Sequence, residues 1–253
     1  MAKGAVLVTG GAVRIGAQIC RQLAQCGYEP IIHAHKNKLA ALALEKELRE
    51  QGKLAGVIIG DLADDVFISD LVNRAQAIAQ SPLIAIINNA SVFEPDFASD
   101  FSSAGWDKHF KINALVPCKL GQDFSNMLGK GKSGVVINLL DQRIFRPNPQ
   151  FFTYNLSKNA LAVATKTMAQ SFAPNIRVNA IAPGPTIMNS RQAQSDFDAQ
   201  AEATLLQNGS PPQAIAEAVI FLLEASHITG QILAVDGGQS LIWQSPDIEG
   251  INE

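Results

Sequence analysis

The sequence predicts an α/β protein built on a single doubly wound parallel sheet of seven strands with helices on both faces. Three observations lead there. Seven short β-rich runs alternate with longer amphipathic stretches, the runs are apolar at nearly every position rather than at every second one, and the first passes through a glycine-rich turn into a helical pattern. A strand apolar throughout is covered on both faces, which describes a parallel sheet between helices. With 253 residues, 47% hydrophobic and 17% charged, the chain can bury one large core, so residues 1–253 are expected to form a single domain.

The strands are expected at Ala5 to Thr9, Glu29 to Ala34, Ala55 to Ile59, Leu83 to Ile87, Val135 to Leu139, Arg177 to Ile181 and Ile232 to Val235. Helical patterns fill the gaps, the first starting near Ala17. Residues 183–210 form the longest stretch without a clear period, and a segment of that kind in a compact domain is expected to be a substrate loop or lid.

Composition narrows the function. A formal net charge of −3 gives no broad basic field for nucleic acid, and no apolar run approaches the length of a membrane span. Cys20, Cys26 and Cys118 lack metal-ligand spacing, so no metal is expected. The start Met-Ala-Lys-Gly leads straight into a strand pattern rather than a signal peptide. The expectation is a cytoplasmic protein whose partners are small molecules and other subunits.

Tyr154 and Lys158 stand four residues apart in a helical pattern, hence on one face. An ammonium beside a phenol favours the phenolate, which would lower the tyrosine pKa toward neutrality and suit it to proton transfer. In isolation the pair also reads as a packed ring beside a solvated lysine. The turn Thr9-Gly10-Gly11-Ala12-Val13-Arg14-Ile15-Gly16, between strand and helix, predicts a dinucleotide site of Rossmann type. Its glycines admit a pyrophosphate and the new helix offers unpaired N–H groups. The second strand ends in His33-Ala34-His35-Lys36-Asn37 with no acidic residue to hold ribose hydroxyls. Arg14, His35, Lys36 and Asn37 can instead donate to a 2′-phosphate, which predicts NADPH over NADH. The other readings of this stretch are a solvated charge run and a His-x-His metal pair.

Together with these motifs, Asp61-Leu62 follows the third strand, Asn88-Asn89-Ala90 the fourth, Asn113 lies in a helix, Pro183-Gly184 follows the sixth strand and Val235-Asp236-Gly237-Gly238 falls near the end. In order and spacing the chain resembles the short-chain dehydrogenases/reductases over nearly its full length. The resemblance implies cofactor contacts from Gly10, Arg14, Ile15, Gly16, Pro183, Gly184 and Thr186, with Asp61 and Leu62 flanking the adenine and Asn88 and Ala90 lining the nicotinamide ribose. It implies that Lys158 binds that ribose and that Asn113 holds a water joining Lys158 to solvent. It also implies a homotetramer, with the segments from Leu156 to Phe172 and from Ile232 to Leu241 buried across two-fold axes.

Two departures from the family pattern refine this. Asp141 stands thirteen positions before Tyr154, where most members keep a serine. Desolvated beside the phenol, it is expected to stay protonated and donate, or to share a proton with Tyr154. Ser91 replaces a customary glycine and Phe93 adds an aromatic face. With Arg14 and the His-x-His-Lys strand end, these residues resemble the pteridine reductase branch, which includes bacterial dihydromonapterin reductases. That resemblance implies a dihydropterin stacked on Phe93, with Ser91 bonding both pterin and cofactor, Arg14 facing the phosphates and substrate, and Asp141 and Tyr154 handling protons. The catalytic set is then Asn113, Asp141, Tyr154 and Lys158. The alternatives are an NADP-dependent ketone or quinone reductase and a non-catalytic NADP(H)-sensing protein.

Overall fold

The computed structural model of this chain describes residues 2–129, 131–188 and 192–245. All seven expected strands are present: β1 Ala5–Val8, β2 Glu29–Ala34, β3 Gly56–Ile59, β4 Leu83–Asn88, β5 Gly134–Leu139, β6 Ile176–Pro183 and β7 Ile232–Val235. They form one sheet in the order β3-β2-β1-β4-β5-β6-β7, and every pairing is parallel.

The helices are α1 Arg14–Gln25, α2 Lys38–Glu50, α3 Asp65–Ile78, α4 Ser103–Phe110, α5 Val116–Leu128, α6 Phe152–Phe172, α7 Gln194–Glu202 and α8 Pro212–Glu224, with a π-helical turn Lys111–Leu115 between α4 and α5. Val6 and Val8 of β1 pack with Ile19, Leu44 and Val219 of α1, α2 and α8. Ala5 and Leu7 point the other way and pack with Leu71, Leu120 and Met168 of α3, α5 and α6. Successive residues of one strand thus feed two opposite cores, which is why the strand is apolar at every position.

Two expectations shift. The first helix begins at Arg14, a turn before Ala17, with no side-chain cap to mark its start in the sequence. Residues 183–210 contain α7, whose sequence QSDFDAQAE buries no residue and so carries no apolar stripe to betray a helix.

From β1 the chain runs outward through β2 and β3, then returns to the other side of β1 to lay down β4. The strand order reverses there, and the crevice beyond the carboxyl ends of β1 and β4 is where doubly wound sheets bind ligands. The turn out of β1 is packed against backbone. Gly10 has φ 62°, and a Cβ on Gly16 would lie 2.2 Å from the Gly10 carbonyl oxygen and 2.9 Å from the Gly11 Cα. Neither neighbour is a flexible side chain that can move aside. Gly16→Ala is therefore expected to destabilise the protein by about 1–3 kcal/mol, as overpacking does. Chemical denaturation would measure this, and an unchanged midpoint and slope would show that the turn yields freely.

Candidate active site

A cleft of about 1350 Å³ opens beyond the carboxyl ends of the strands. Its wall brings together Gly10, Arg14, Ile15 and Gly16 with His35, Lys36 and Asn37, Asp61 and Leu62, Ala90, Ser91 and Phe93, Asp141, Tyr154, Lys158, Pro183, Gly184 and Thr186. Among the expected residues, Asn88 and Asn113 are not part of this wall, and both are buried.

The half of the cleft beside β1 and β2 suits a dinucleotide. Val13 at the head of α1 offers no side-chain cap and the first turn holds no acidic residue, so the helix N-terminus is left for an anion. His35, Lys36 and Asn37 are all exposed at the end of β2, and Asn37 makes no side-chain cap to α2. His35 Nδ1 lies 3.6 Å from Asp61 Oδ1, so that carboxylate faces the imidazole as well as the cleft. Gly184 is needed for close approach, since a Cβ there would meet the Asp236 Cα at 2.7 Å. The Thr186 hydroxyl donates to the Gly184 carbonyl. Arg14 differs from its expected role: at φ 55° it extends its guanidinium to the carbonyls of Ile187 and Met188, 2.9 Å each, tying the segment after β6 to the glycine turn.

His33 also lines the cleft, but its ring is buried. Its Nδ1 accepts from the Gly10 N–H at 3.3 Å and its Nε2 lies 3.2 Å from the Gly60 carbonyl. Burial holds it down at a pKa of about 4, so it is neutral and braces the glycine turn against the end of β3. No group of three or more His, Cys, Asp or Glu side chains that could hold a metal occurs among the described residues.

At the other half, the Tyr154 hydroxyl donates to Asp141 Oδ2 at 2.9 Å. Asp141 also accepts from the Arg143 backbone N–H at 2.9 Å and from its guanidinium at 3.1 and 3.2 Å. The carboxyl group thus faces three donors: the Tyr154 hydroxyl, with which the sequence reading has it share a proton, and the Arg143 N–H and guanidinium, which turns inward to pair with it. The tyrosine departs from expectation. Burial, then the charge of Asp141 and the hydrogen bond to it, raise the phenol well above its ordinary value, while Arg143 and Ser91 push the other way. Lys158 does not reverse this: its ammonium donates to the Leu139 carbonyl at 2.7 Å and lies 5.8 Å from the Tyr154 ring centroid. Burial brings Lys158 itself down to about 8, with Asp141 opposing.

Phe93 stacks on Phe151, centroids 4.1 Å apart and planes 14° from parallel, and meets Tyr154 edge-on at 4.7 Å. Arg143 lies beside this pair, 5.4 and 5.5 Å from the two ring centroids. One face of Phe93 is therefore covered by a second phenyl ring rather than open. Ser91 donates to Asn113 Oδ1 at 3.1 Å. The Asn113 amide also accepts from Val92 N–H at 2.8 Å and donates to the Val92 carbonyl and the Ser157 hydroxyl at 2.9 and 3.0 Å. Its four side-chain hydrogen-bonding positions are filled, so the side chain anchors the loop after β4. Asn88 donates to Asn138, which donates to Thr165, joining β4, β5 and α6 beneath the site.

Sequence reasoning missed the bracing roles of His33 and Asn89; between Asp141 and Tyr154 it places Arg143, Phe145 and Phe151 at the substrate border without saying which points inward. Asn89 cross-braces the crevice, its amide donating to the carbonyls of Thr9 and Gly10 while its own N–H and that of Ala90 donate to the Thr9 hydroxyl. The available signal was a Thr at one strand end and an Asn at the next. For Arg143, two residues past Asp141, no sequence signal sets the inward direction.

Residues 11–240 match the family model described as Enoyl-(Acyl carrier protein) reductase. Cyclopentanol dehydrogenase of Comamonas testosteroni is 31% identical over 240 residues, covering 92% of this chain and 95% of that protein. FolM Alternative dihydrofolate reductase 1 from Brucella suis, solved in complex with NADP, superposes with a TM-score of 0.93 at 41% identity, over 97% of this chain and 98% of its own. The same protein from Brucella canis, also complexed with NADP, gives 0.93 at 40% identity over 98% of both chains. These findings agree with the nicotinamide cofactor expected from the glycine turn. Together with the glycine turn, the parallel sheet and the Tyr154/Lys158 pair at its carboxyl edge, they show that the chain belongs to the short-chain dehydrogenase/reductase family.

Proposed function

We propose that this chain is an NADPH-dependent reductase of a dihydropterin-like substrate, working as a cytoplasmic homotetramer. The observation that carries the reading is the carboxylate of Asp141 hydrogen-bonded to the phenol of Tyr154, where the family pattern has a serine hydroxyl. A hydroxyl suffices to polarise a ketone, whereas an acceptor carboxylate with an aromatic wall beside it suits a flat heterocycle bearing N–H groups. The FolM neighbours, described as dihydrofolate reductases, support a substrate of this class. Exposed Leu115, Val163, Phe221 and Leu241 supply apolar surface for further copies.

When bound, NADPH supplies hydride to the C=N carbon of the ring; the chain supplies everything else. The turn at Gly10–Gly16 and the N-terminus of α1 take the pyrophosphate, and His35, Lys36 and Asn37 take the 2′-phosphate. Phe93 sets the plane of the substrate ring, and Ser91 and Asp141 accept or donate along its edge. Tyr154, whose proton is firmly held at neutral pH, turns its hydroxyl from Asp141 to the ring nitrogen and gives that proton up as hydride arrives. The tyrosinate left behind faces the charge of Asp141, which Arg143 offsets, and Lys158 adds a second cation nearby.

The relative acting on cyclopentanol favours a second reading, a carbonyl reductase. NADPH oxidation assayed with dihydropterins, dihydrofolate and simple ketones separates the two. Turnover of dihydropterin lost by about 100-fold or more in Tyr154→Phe, with NADPH still bound, is the expected result. Ketone turnover alone would select the carbonyl reductase, and tight NADPH binding without any turnover would select a sensor.

The cofactor half predicts a clear preference for NADPH over NADH in kcat/KM, which Lys36→Glu should erode; equal efficiency with both cofactors would contradict the phosphate assignment. Lys158 adds a pH dependence. Held at about 8, it is charged below that pH and neutral above, so its support for the tyrosinate is present on the acid side and lost as pH rises through 8. The rate is expected to fall on the alkaline side with an apparent pKa near this value. Lys158→Arg, always charged, should retain some activity without that limb; an unchanged limb would assign it to another group.

A further inference from the structure

The buried imidazole of His109, on α4, is unused by the reaction and lies next to the catalytic helix. It is 1% exposed, and its ring stands edge-on to Tyr154 with centroids 6.2 Å apart. Its Nδ1 lies 2.7 Å from the Thr153 hydroxyl, and its Nε2 accepts from the Glu94 backbone N–H at 3.2 Å. The Thr153 hydroxyl donates onward to Asp96 Oδ2, and Thr153 N–H donates to Asp96 Oδ1 at 3.1 Å. Since the threonine proton goes to Asp96, the shared proton between His109 and Thr153 belongs to Nδ1, which leaves Nε2 free to accept. Each polar atom in this chain of four residues has one consistent role.

The network joins three segments: α4, the first turn of α6 directly before Tyr154, and the loop after β4. That loop carries Ser91 and Phe93. Asp96 also accepts from Phe152 N–H through its backbone carbonyl, at 3.2 Å. We propose that His109 is a positioning residue which, as the neutral Nδ1–H tautomer, fixes the substrate-facing loop 91–97 to the helix bearing Tyr154. The proposal rests on the reading that Ser91 and Phe93 meet the substrate. The groups around the imidazole are consistent with its neutrality. Burial lowers its pKa and Lys108 adds to that, while Asp96, Glu94 and the Gly105 carbonyl oppose. A protonated ring would turn a second N–H toward that of Glu94, donor against donor, and release the loop.

Two substitutions divide the network. Glutamine can place its amide oxygen where Nε2 accepts from Glu94, whereas asparagine can place its amide nitrogen only where Nδ1 meets Thr153. Steady-state kinetics with a dihydropterin and hydrogen exchange of residues 91–97 in the NADPH-loaded protein read the two consequences separately. His109→Leu and His109→Asn are expected to raise the dihydropterin KM about tenfold, the scale of one lost buried hydrogen bond, with kcat changed less and NADPH affinity kept. In both, exchange at 91–97 should quicken about tenfold while the segment around Gly10 to Gly16 stays protected. His109→Gln should recover most of both effects. Should His109→Leu fail to fold, Thr153→Val cuts the same network from the other side and should also quicken exchange at 91–97. A loop that exchanges at the wild-type rate in these variants, or a loss shared equally by every kinetic parameter and not relieved by Gln, would overturn the proposal. Wild-type protein inert toward dihydropterins would instead remove the substrate reading, and the exchange data would still judge His109.

Discussion

A carboxylate placed beside a phenol, both withdrawn from water, is the constraint to which the rest of this site answers. Asp141 is only partly exposed and Tyr154 is buried, and they are joined at 2.9 Å. A charge so placed is stable only when another is brought to it. Arg143 supplies that partner from two residues away, and its guanidinium reaches both carboxylate oxygens. Lys158 enters as a second cation, held by the Leu139 carbonyl rather than by the tyrosine. The result is a phenol kept protonated in the resting protein, with two cations beside it.

The fold delivers these groups through backbone termini rather than through the interior of the sheet. Asp141 follows β5 and Tyr154 opens α6, while the cofactor half hangs on the ends of β1 and β2. Loops at such ends need anchoring, and here the anchors are buried or half-buried polar side chains, neutral except for Asp96. Asn89 and Thr9 lock β4 to β1, and His33 locks the glycine turn to the end of β3. Asn113 holds residues 91 and 92, and His109 with Thr153 and Asp96 holds the loop beyond them. Uncharged groups serve well in this place, since each bond costs little desolvation and leaves no field to disturb the reacting pair.

The sheet was legible because its inner strands bury both faces, so every residue of β1 and β2 had to be small or apolar, apart from Glu29 and His33, which found specific partners. The glycine turn and the Tyr154/Lys158 pair were legible because each is a pattern of residues close together in the chain. What escaped depends on direction and surroundings. Whether Arg143 points in or out of its turn, whether Phe151 covers Phe93, and whether Asn113 faces a water or a loop are settled by segments distant in sequence. The tyrosine pKa went astray for the same reason: helix spacing makes Lys158 its neighbour, but burial and Asp141, from the turn after β5, outweigh it.

The central claim concerns where the phenolic proton rests, and the chain contains only two tyrosines, Tyr28 and Tyr154. Carbon-13 NMR of protein labelled at tyrosine Cζ, with Tyr154→Phe to assign the signals, follows each phenol through a pH titration. The account predicts that Tyr154 keeps its proton beyond the ordinary tyrosine value of about 10 and that Asp141→Asn brings its titration down. Ionisation of Tyr154 near neutral pH, or a titration indifferent to Asp141→Asn, would contradict it.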